Sequence, residues 1–132
     1  MIEENKARSR RLFEEAFGNH NLDVVDEIWG KNAVSMPMNL AGSDAVKQMI
    51  TSTLHALPDL SATVEDQIAE GDTVATRVTF RGTHQGTFMG QYEPTGKPVS
   101  YTLLAMHKHA DGKIVEGHGL FDMTGILRQI NS

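Results

Sequence analysis

The sequence predicts an α+β domain in which three helices precede a strongly curved antiparallel sheet. Apolar residues recur at helical spacing as far as Leu57, and β-branched residues with a period near two take over after Asp59. Two of the alternating runs flank Asp111-Gly112, the dipeptide most diagnostic of a two-residue hairpin. Helices first and strands afterwards mark an α+β chain, not a doubly wound one.

From Glu3 to Phe17 the residues Ala7, Leu12, Phe13, Ala16 and Phe17 fall mostly on i, i+4 and i+5 steps among charges, as an amphipathic helix requires, and Gly18 can end it. The charges Arg8 to Arg11 then form its solvated face. Leu22, Val25, Ile28 and Trp29 repeat at helical spacing, with Asn21 as cap and Gly30 as stop. Ala33 to Leu40 reads as one short strand or extended segment. A third helix has Ser43 as cap, Val46, Met49, Ile50, Thr53, Leu54 and Leu57 on one face, and Pro58 behind it. Leu60, Ala62, Val64 and Ile68 begin the strands, Glu70-Gly71-Asp72 makes a turn, and Thr73 to Thr83 forms a second long strand. Gln85 to about Lys97 is a loop. Strands from about Val99 to His109 and from Lys113 to Phe121 form the hairpin, and Thr124 to Ile130 a final short helix.

The length of 132 residues suits one domain, residues 1–132, able to bury a core without a metal or disulfide staple. With no cysteine, thiol catalysis and zinc–thiolate sites are excluded. A net charge of −5 and no basic cluster beyond Lys6–Arg11 argue against nucleic acid as a partner. No apolar run approaches the ~18 residues of a membrane span, and the first residues lack the basic-then-apolar order of a secretion signal, so a cytoplasmic protein is expected.

The chemistry concentrates on the hairpin. With Asp111 and Gly112 as turn residues, paired positions sum to 223, which sets Tyr101 opposite Asp122, Leu103 opposite Leu120, Ala105 opposite His118 and His107 opposite Glu116 on one face. Ionisable groups among apolar ones are costly in a dry core but suit the lining of a ligand cavity. Glu116 and His109, near the turn, read as a solvated edge. His107 and His118 fit either cavity lining or structural hydrogen bonding, and Asp122 either caps the last helix or acts chemically. A carboxylate half-buried among Leu120, Leu103 and Tyr101 would have its pKa raised and could remove a proton next to a carbonyl, with a histidine polarising the enolate. Phosphate-cradle, dinucleotide and serine-hydrolase motifs are missing. The pair His107-x-His109 lacks further ligands at suitable spacing beyond Glu116 and His118, so no metal is expected.

The segment Gly82-Thr83-His84-Gln85-Gly86-Thr87-Phe88-Met89-Gly90, continuing through Pro94-Thr95-Gly96-Lys97-Pro98-Val99, resembles the loop of SnoaL-like polyketide and ester cyclases. Leu57-Pro58-Asp59-Leu60, Glu65-Asp66, Ala69-Glu70-Gly71-Asp72, Asp111 to Glu116, Phe121-Asp122 and Gly125-Ile126-Leu127 extend the resemblance over most of the chain. It implies the cone-shaped fold of the nuclear-transport-factor-two-like superfamily, helices covering a bent sheet around a pocket, and homodimers or larger assemblies formed through the sheet. In such cyclases an aspartate on the last strand is the base for an intramolecular aldol closure, a position matched by Asp122, and a histidine on the preceding strand accompanies it, for which His107 is the nearest match. Members commonly carry Trp where His118 stands, and a His-Asp-Pro-like segment where Ser35-Met36-Pro37 stands.

The expected function is therefore cofactor-free enolate chemistry on a small hydrophobic carbonyl compound, with Asp122 as base, His107 and His118 as polarising groups, and Trp29, Met36, His84, Tyr101 and Leu120 shaping the pocket. The alternatives are a non-catalytic binding module, or a hydrolase or dehydratase holding a water between Asp122 and a histidine. Leu104, Met106, Val115 and Phe121 form an apolar strip on the opposite face, so a homodimer with Leu104, Met106 and Phe121 in its interface is expected.

Overall fold

The N-terminal apolar residues become one continuous helical rod. In the computed structural model, which describes residues 1–131, α1 (Ile2–Arg11) passes directly into a π-helical stretch (Leu12–Gly18). The wider π turn bonds each N–H five residues back and so suits the i+5 steps of this segment. Asn19 N–H donates to Glu14 O at 3.0 Å, and Leu12, Phe13, Ala16 and Phe17 are all buried.

The second helix is shorter than its periodicity predicts. α2 (Asp23–Ile28) stops before Trp29, which with Gly30 opens β1 (Trp29–Met36). Gly30 is a strand residue here because the chain passes close to the segment after the Asp111-Gly112 turn: a Cβ on it would lie 3.0 Å from Ile114 O. Asn21 does not cap the helix end; its Oδ1 accepts the Asp23 N–H at 3.2 Å, a local turn. After β2 (Leu40–Ala41), α3 (Gly42–Ala56) starts just ahead of Ser43, with Ala41 in the cap position and no side-chain cap bond. No helix among the described residues is long and apolar enough to cross a membrane.

β3 (Ser61–Glu70), β4 (Thr73–Thr83), β5 (Pro98–Ala110) and β6 (Lys113–Phe121) follow, and α4 (Met123–Ile130) closes the chain. The six strands form a curved, open sheet in the order β2-β1-β6-β5-β4-β3. The expectation of a wholly antiparallel sheet fails at one ladder: β1 pairs with β6 in parallel, which a long crossover through α3 and the other strands permits. The helices cover the face that carries Val78, Phe80, Val99, Ala105 and Ile114, with Phe17 5.1 Å and Phe13 6.3 Å from Phe80 between ring centroids.

The hairpin turn forms as expected, Asp111 and Gly112 both at positive φ (52° and 77°) and Ala110 opposite Lys113. The register does not hold beyond it. His109 pairs with Ile114 but Lys108 with Glu116, so Val115 is an extra residue and a β-bulge. Thereafter His107 faces Gly117, Met106 faces His118, Ala105 faces Gly119, Leu104 faces Leu120 and Leu103 faces Phe121. A slip of one residue exchanges the two faces of a strand. Glu116, His118 and Leu120 therefore point outward with Leu104 and Met106, and Phe121 turns to the side of Tyr101, its ring 5.6 Å away, while remaining 43% exposed at the strand end.

Gly117 sits where this register brings β6 under Trp29. A Cβ there would lie 2.8 Å from Trp29 Cη2 and 3.2 Å from His107 Cδ2. Gly117→Ala is expected to lower stability by about 1–3 kcal/mol, as overpacking does. Urea unfolding checks this: the midpoint falls while the slope with denaturant is unchanged.

Candidate functional site

Alternation along β5 sends Tyr101, Leu103, Ala105, His107 and His109 toward the helices. His107 is 4% exposed; its ring stacks on Phe13 (centroids 5.7 Å apart, planes 14° apart) and meets Trp29 edge-on at 6.2 Å. Its Nδ1 lies 2.9 Å from Ser9 Oγ, and Ser9 Oγ lies 3.0 Å from His109 Nε2. Arg8 Nη1 donates to His109 Nδ1 at 3.0 Å and to Asn5 Oδ1 at 2.8 Å. His109 is thus buried, not at a solvated edge, and Arg8 turns partly inward, because α1 packs across the sheet at the hairpin end. Burial holds both imidazoles neutral: His107 is pushed down to about 3, by desolvation and then by the neighbouring His109, and His109 to about 4, by desolvation and then by Arg8. Trp29 itself is anchored through its Nε1–H to Ala33 O at 3.3 Å.

Asp122 lies elsewhere. It follows the last strand residue and caps α4, its Oδ1 accepting the Gly125 N–H at 2.9 Å. The carboxylate is exposed, not half-buried, and Leu120, expected beside it, is 67% exposed on the outer face because of the bulge. Asp122 lines a cleft of about 270 Å³ with Ser100, Tyr101, Thr102, Gly125 and Gln129. Gln129 fastens α4 to β5, accepting the Ser100 N–H and donating to Ser100 O, each at 2.8 Å. Tyr101 lies between Phe80 (5.4 Å) and Phe121 (5.6 Å), and burial pushes its hydroxyl up to about 12. The structure therefore places Asp122 in one cleft with Tyr101 and not with the histidines. Extending the register past Leu103–Phe121 puts Asp122 beside Thr102, five residues from His107 and about 17 Å away at the rise of a strand.

The remaining expected site residues are dispersed. His118 bonds Glu116 at 3.0 Å on the outer face, both side chains more than half exposed. Met36, half-buried, pairs with His118 in the β1–β6 ladder. His84 is 1% exposed and anchors the long loop: its ring meets Thr95 Oγ1 at 3.1 Å and Tyr92 O at 3.2 Å, and its backbone bonds Lys97 and Gly96. Trp29 also borders a second cleft, about 480 Å³, whose other walls carry charges of both signs, Asp26, Lys31, Asp44 and Lys113. Ser9 and Gln129 were not singled out by the sequence. The available signal for Ser9 was its place four residues ahead of Phe13, on the apolar face of the first helix.

The family model for SnoaL-like polyketide cyclase matches residues 7–130. Among solved structures, IdmH of Streptomyces antibioticus, a proposed polyketide cyclase, is 32% identical with a TM-score of 0.81, the match covering 97% of this chain and 99% of that one. AclR of Streptomyces galilaeus, a proposed hydroxylase, is 31% identical at a TM-score of 0.87, covering 99% of this chain and 83% of that one. A proposed SnoaL-like polyketide cyclase of Jannaschia sp. CCS1 shares the fold at 24% identity and a TM-score of 0.89, covering 98% and 93%. No curated protein matches the chain in sequence.

The two depressed imidazoles set a pH dependence. Their folded pKa values lie below the unfolded value of about 6.5, so below that pH the unfolded chain binds protons that the folded one refuses, and stability falls as pH falls. Between about pH 6.5 and 5, above the range where carboxylates titrate, unfolding free energy is expected to decline, by at most about 1.4 kcal/mol per pH unit from His107. Urea titrations at stepped pH check this, and His107→Gln should remove its share of the slope whatever its stability at pH 7.

Proposed function

The chain belongs to the SnoaL-like polyketide cyclase family, and from that premise we propose that it carries out cofactor-free acid–base chemistry on a small hydrophobic carbonyl compound, closing a carbon–carbon bond through an enolate. The observation that carries this reading is the cleft that Asp122 and Tyr101 both line. Asp122 Oδ1 is committed to the helix end, and Oδ2 is left to take a proton from the carbon next to a carbonyl. The Tyr101 hydroxyl, protonated at neutral pH as any phenol is and pushed further up by burial, donates to the enolate oxygen. The enolate carbon then attacks a second carbonyl of the same molecule, and the proton on Asp122 returns to the new alkoxide, so no electrons are gained or lost.

A second reading, a pocket that binds without reacting, is favoured by the structural bonds of both expected catalytic groups, Asp122 to Gly125 and His107 to Ser9. The water-activating alternative has lost the histidine it needs, since His107 stands about 17 Å from Asp122.

Asparagine caps a helix as well as aspartate does, which separates the two jobs of Asp122. In Asp122→Asn, turnover of a polyketide-like diketone should fall about 10²–10⁴-fold with the melting temperature unchanged. In Asp122→Ala, turnover falls equally and stability drops by about 1 kcal/mol as well. Turnover kept within a few-fold in Asp122→Asn removes the aspartate from the mechanism.

The same reading includes a homodimer through the outer sheet face. Leu104, Met106 and Leu120, 59%, 53% and 67% exposed, form its apolar centre, with Phe121, 43% exposed and turned toward Tyr101, at its border. Light scattering at micromolar concentration should give twice the chain mass, and Leu120→Lys should halve it. A wild-type particle of 14.5 kDa overturns the dimer.

A further inference from the structure

The chemistry at Asp122 leaves unused the chain of side chains Arg8, His109, Ser9 and His107, and donor and acceptor rules assign every proton in it. Arginine has only donors, so His109 Nδ1, 3.0 Å from Arg8 Nη1, accepts and is bare. The proton of neutral His109 is then on Nε2, which donates to Ser9 Oγ at 3.0 Å. Ser9 spends its single hydroxyl proton on His107 Nδ1, at 2.9 Å. The proton of neutral His107 therefore sits on Nε2. Among the described residues that nitrogen bonds no protein group, and no fully buried side-chain nitrogen or oxygen lacks a partner, so Nε2 keeps a small solvent contact within a side chain that is 4% exposed. The reversed chain would set the Arg8 N–H against a protonated His109 Nδ1, two donors facing each other at 3.0 Å.

We propose that Arg8, His109 and Ser9 are positioning residues that hold His107 as a neutral Nε2–H donor, available to an acceptor oxygen of the bound compound. The inference rests on the carbonyl-substrate reading and deepens it: a ligand that reaches both Asp122 and His107 is an extended molecule with a second oxygen function far from the carbon that loses its proton. The charged groups acting on His109 besides Arg8 are Asp72 and the Met1 ammonium, while His107 faces His109 and the uncharged rings of Phe13 and Trp29. Arg8 is itself oriented by Asn5.

Nitrogen-15 NMR of the histidine-labelled full chain at pH 7 tests the lock without any substrate. The expected spectrum has a bare Nδ1 and a protonated Nε2 on both His107 and His109; a protonated Nδ1 on His107, or an imidazolium, overturns the proposal. Ser9→Ala should give His107 a mixture of tautomers. Arg8→Met, which leaves the buried hydroxyl in place, should do so through His109; an unchanged His107 spectrum in both variants refutes the positioning role. Recognition of an acceptor is read with 2-acetylnaphthalene against 2-ethylnaphthalene. The ketone should move the His107 Nε2–H resonance and bind about five-fold more tightly, whereas equal binding or an unmoved resonance overturns it. These signals should persist in Asp122→Asn, so failure here and failure of the cleft chemistry are told apart.

Discussion

One surplus residue decides which side of the last strand meets the core. Val115 interrupts the β5–β6 ladder, and beyond it every side chain of β6 takes the face opposite to the one an unbroken hairpin would give. The unbroken register would put Glu116 and His118 under the helices, where each would need a partner or lose its charge, and would turn Gly117 and Gly119 to solvent. The bulge sends the ionisable pair outward, where it makes its own bond, and puts the glycines inward. Trp29 and His107 come together over the space Gly117 leaves, and α1 can then bring Ser9 to His107. The interior arrangement depends on that one insertion.

Local physics made much of the fold legible. The apolar stripe of α3, the alternation of β4, the positive-φ turn at Asp111-Gly112 and the Asp122 cap all follow from residues close in sequence. What was not legible depends on contacts between distant segments. Trp29 continues a helical pattern for which Gly30 reads as the stop, yet the parallel seat beside Ile114 extends them both. The register that would set Leu120 and His118 in the pocket runs true for only two pairs, Ala110 with Lys113 and His109 with Ile114. The charge pattern held the clue, since Glu116 and His118 alternate with Gly117 and Gly119, and burying the glycines costs less than burying the charges. His109 near a turn gave no sign that a helix about a hundred residues earlier would cover it.

Burial acts in opposite directions on the phenol and the imidazole and reaches the same end. Desolvation raises Tyr101 and lowers His107, because in each case it disfavours the charged form. Both are neutral hydrogen-bond donors held by aromatic neighbours, Phe80 and Phe121 around one, Phe13 and Trp29 around the other. Asp122, by contrast, stays in water at the mouth of its cleft, held by a helix end. An interior of fixed dipoles with the carboxylate outside it suits a reaction in which charge develops on oxygen, since the donors need no reorganisation when it appears.

The parallel pairing of β1 with β6 also orders events at the ribosome. Trp29–Met36 emerges early, but its neighbour on the interior side of the sheet, Lys113–Phe121, is among the last segments made. Until then β1 has only the two-residue β2 to pair with, and Ser9 waits 98 residues for His107. Antiparallel β3 and β4 can zip as they are synthesised, whereas the N-terminal third must remain uncommitted until the chain is nearly complete. Non-local closure of this kind slows folding. A nascent chain cut short before residue 113 would carry an apolar helix and an unpaired strand edge with nothing of its own to cover them, a form for which chaperones have affinity.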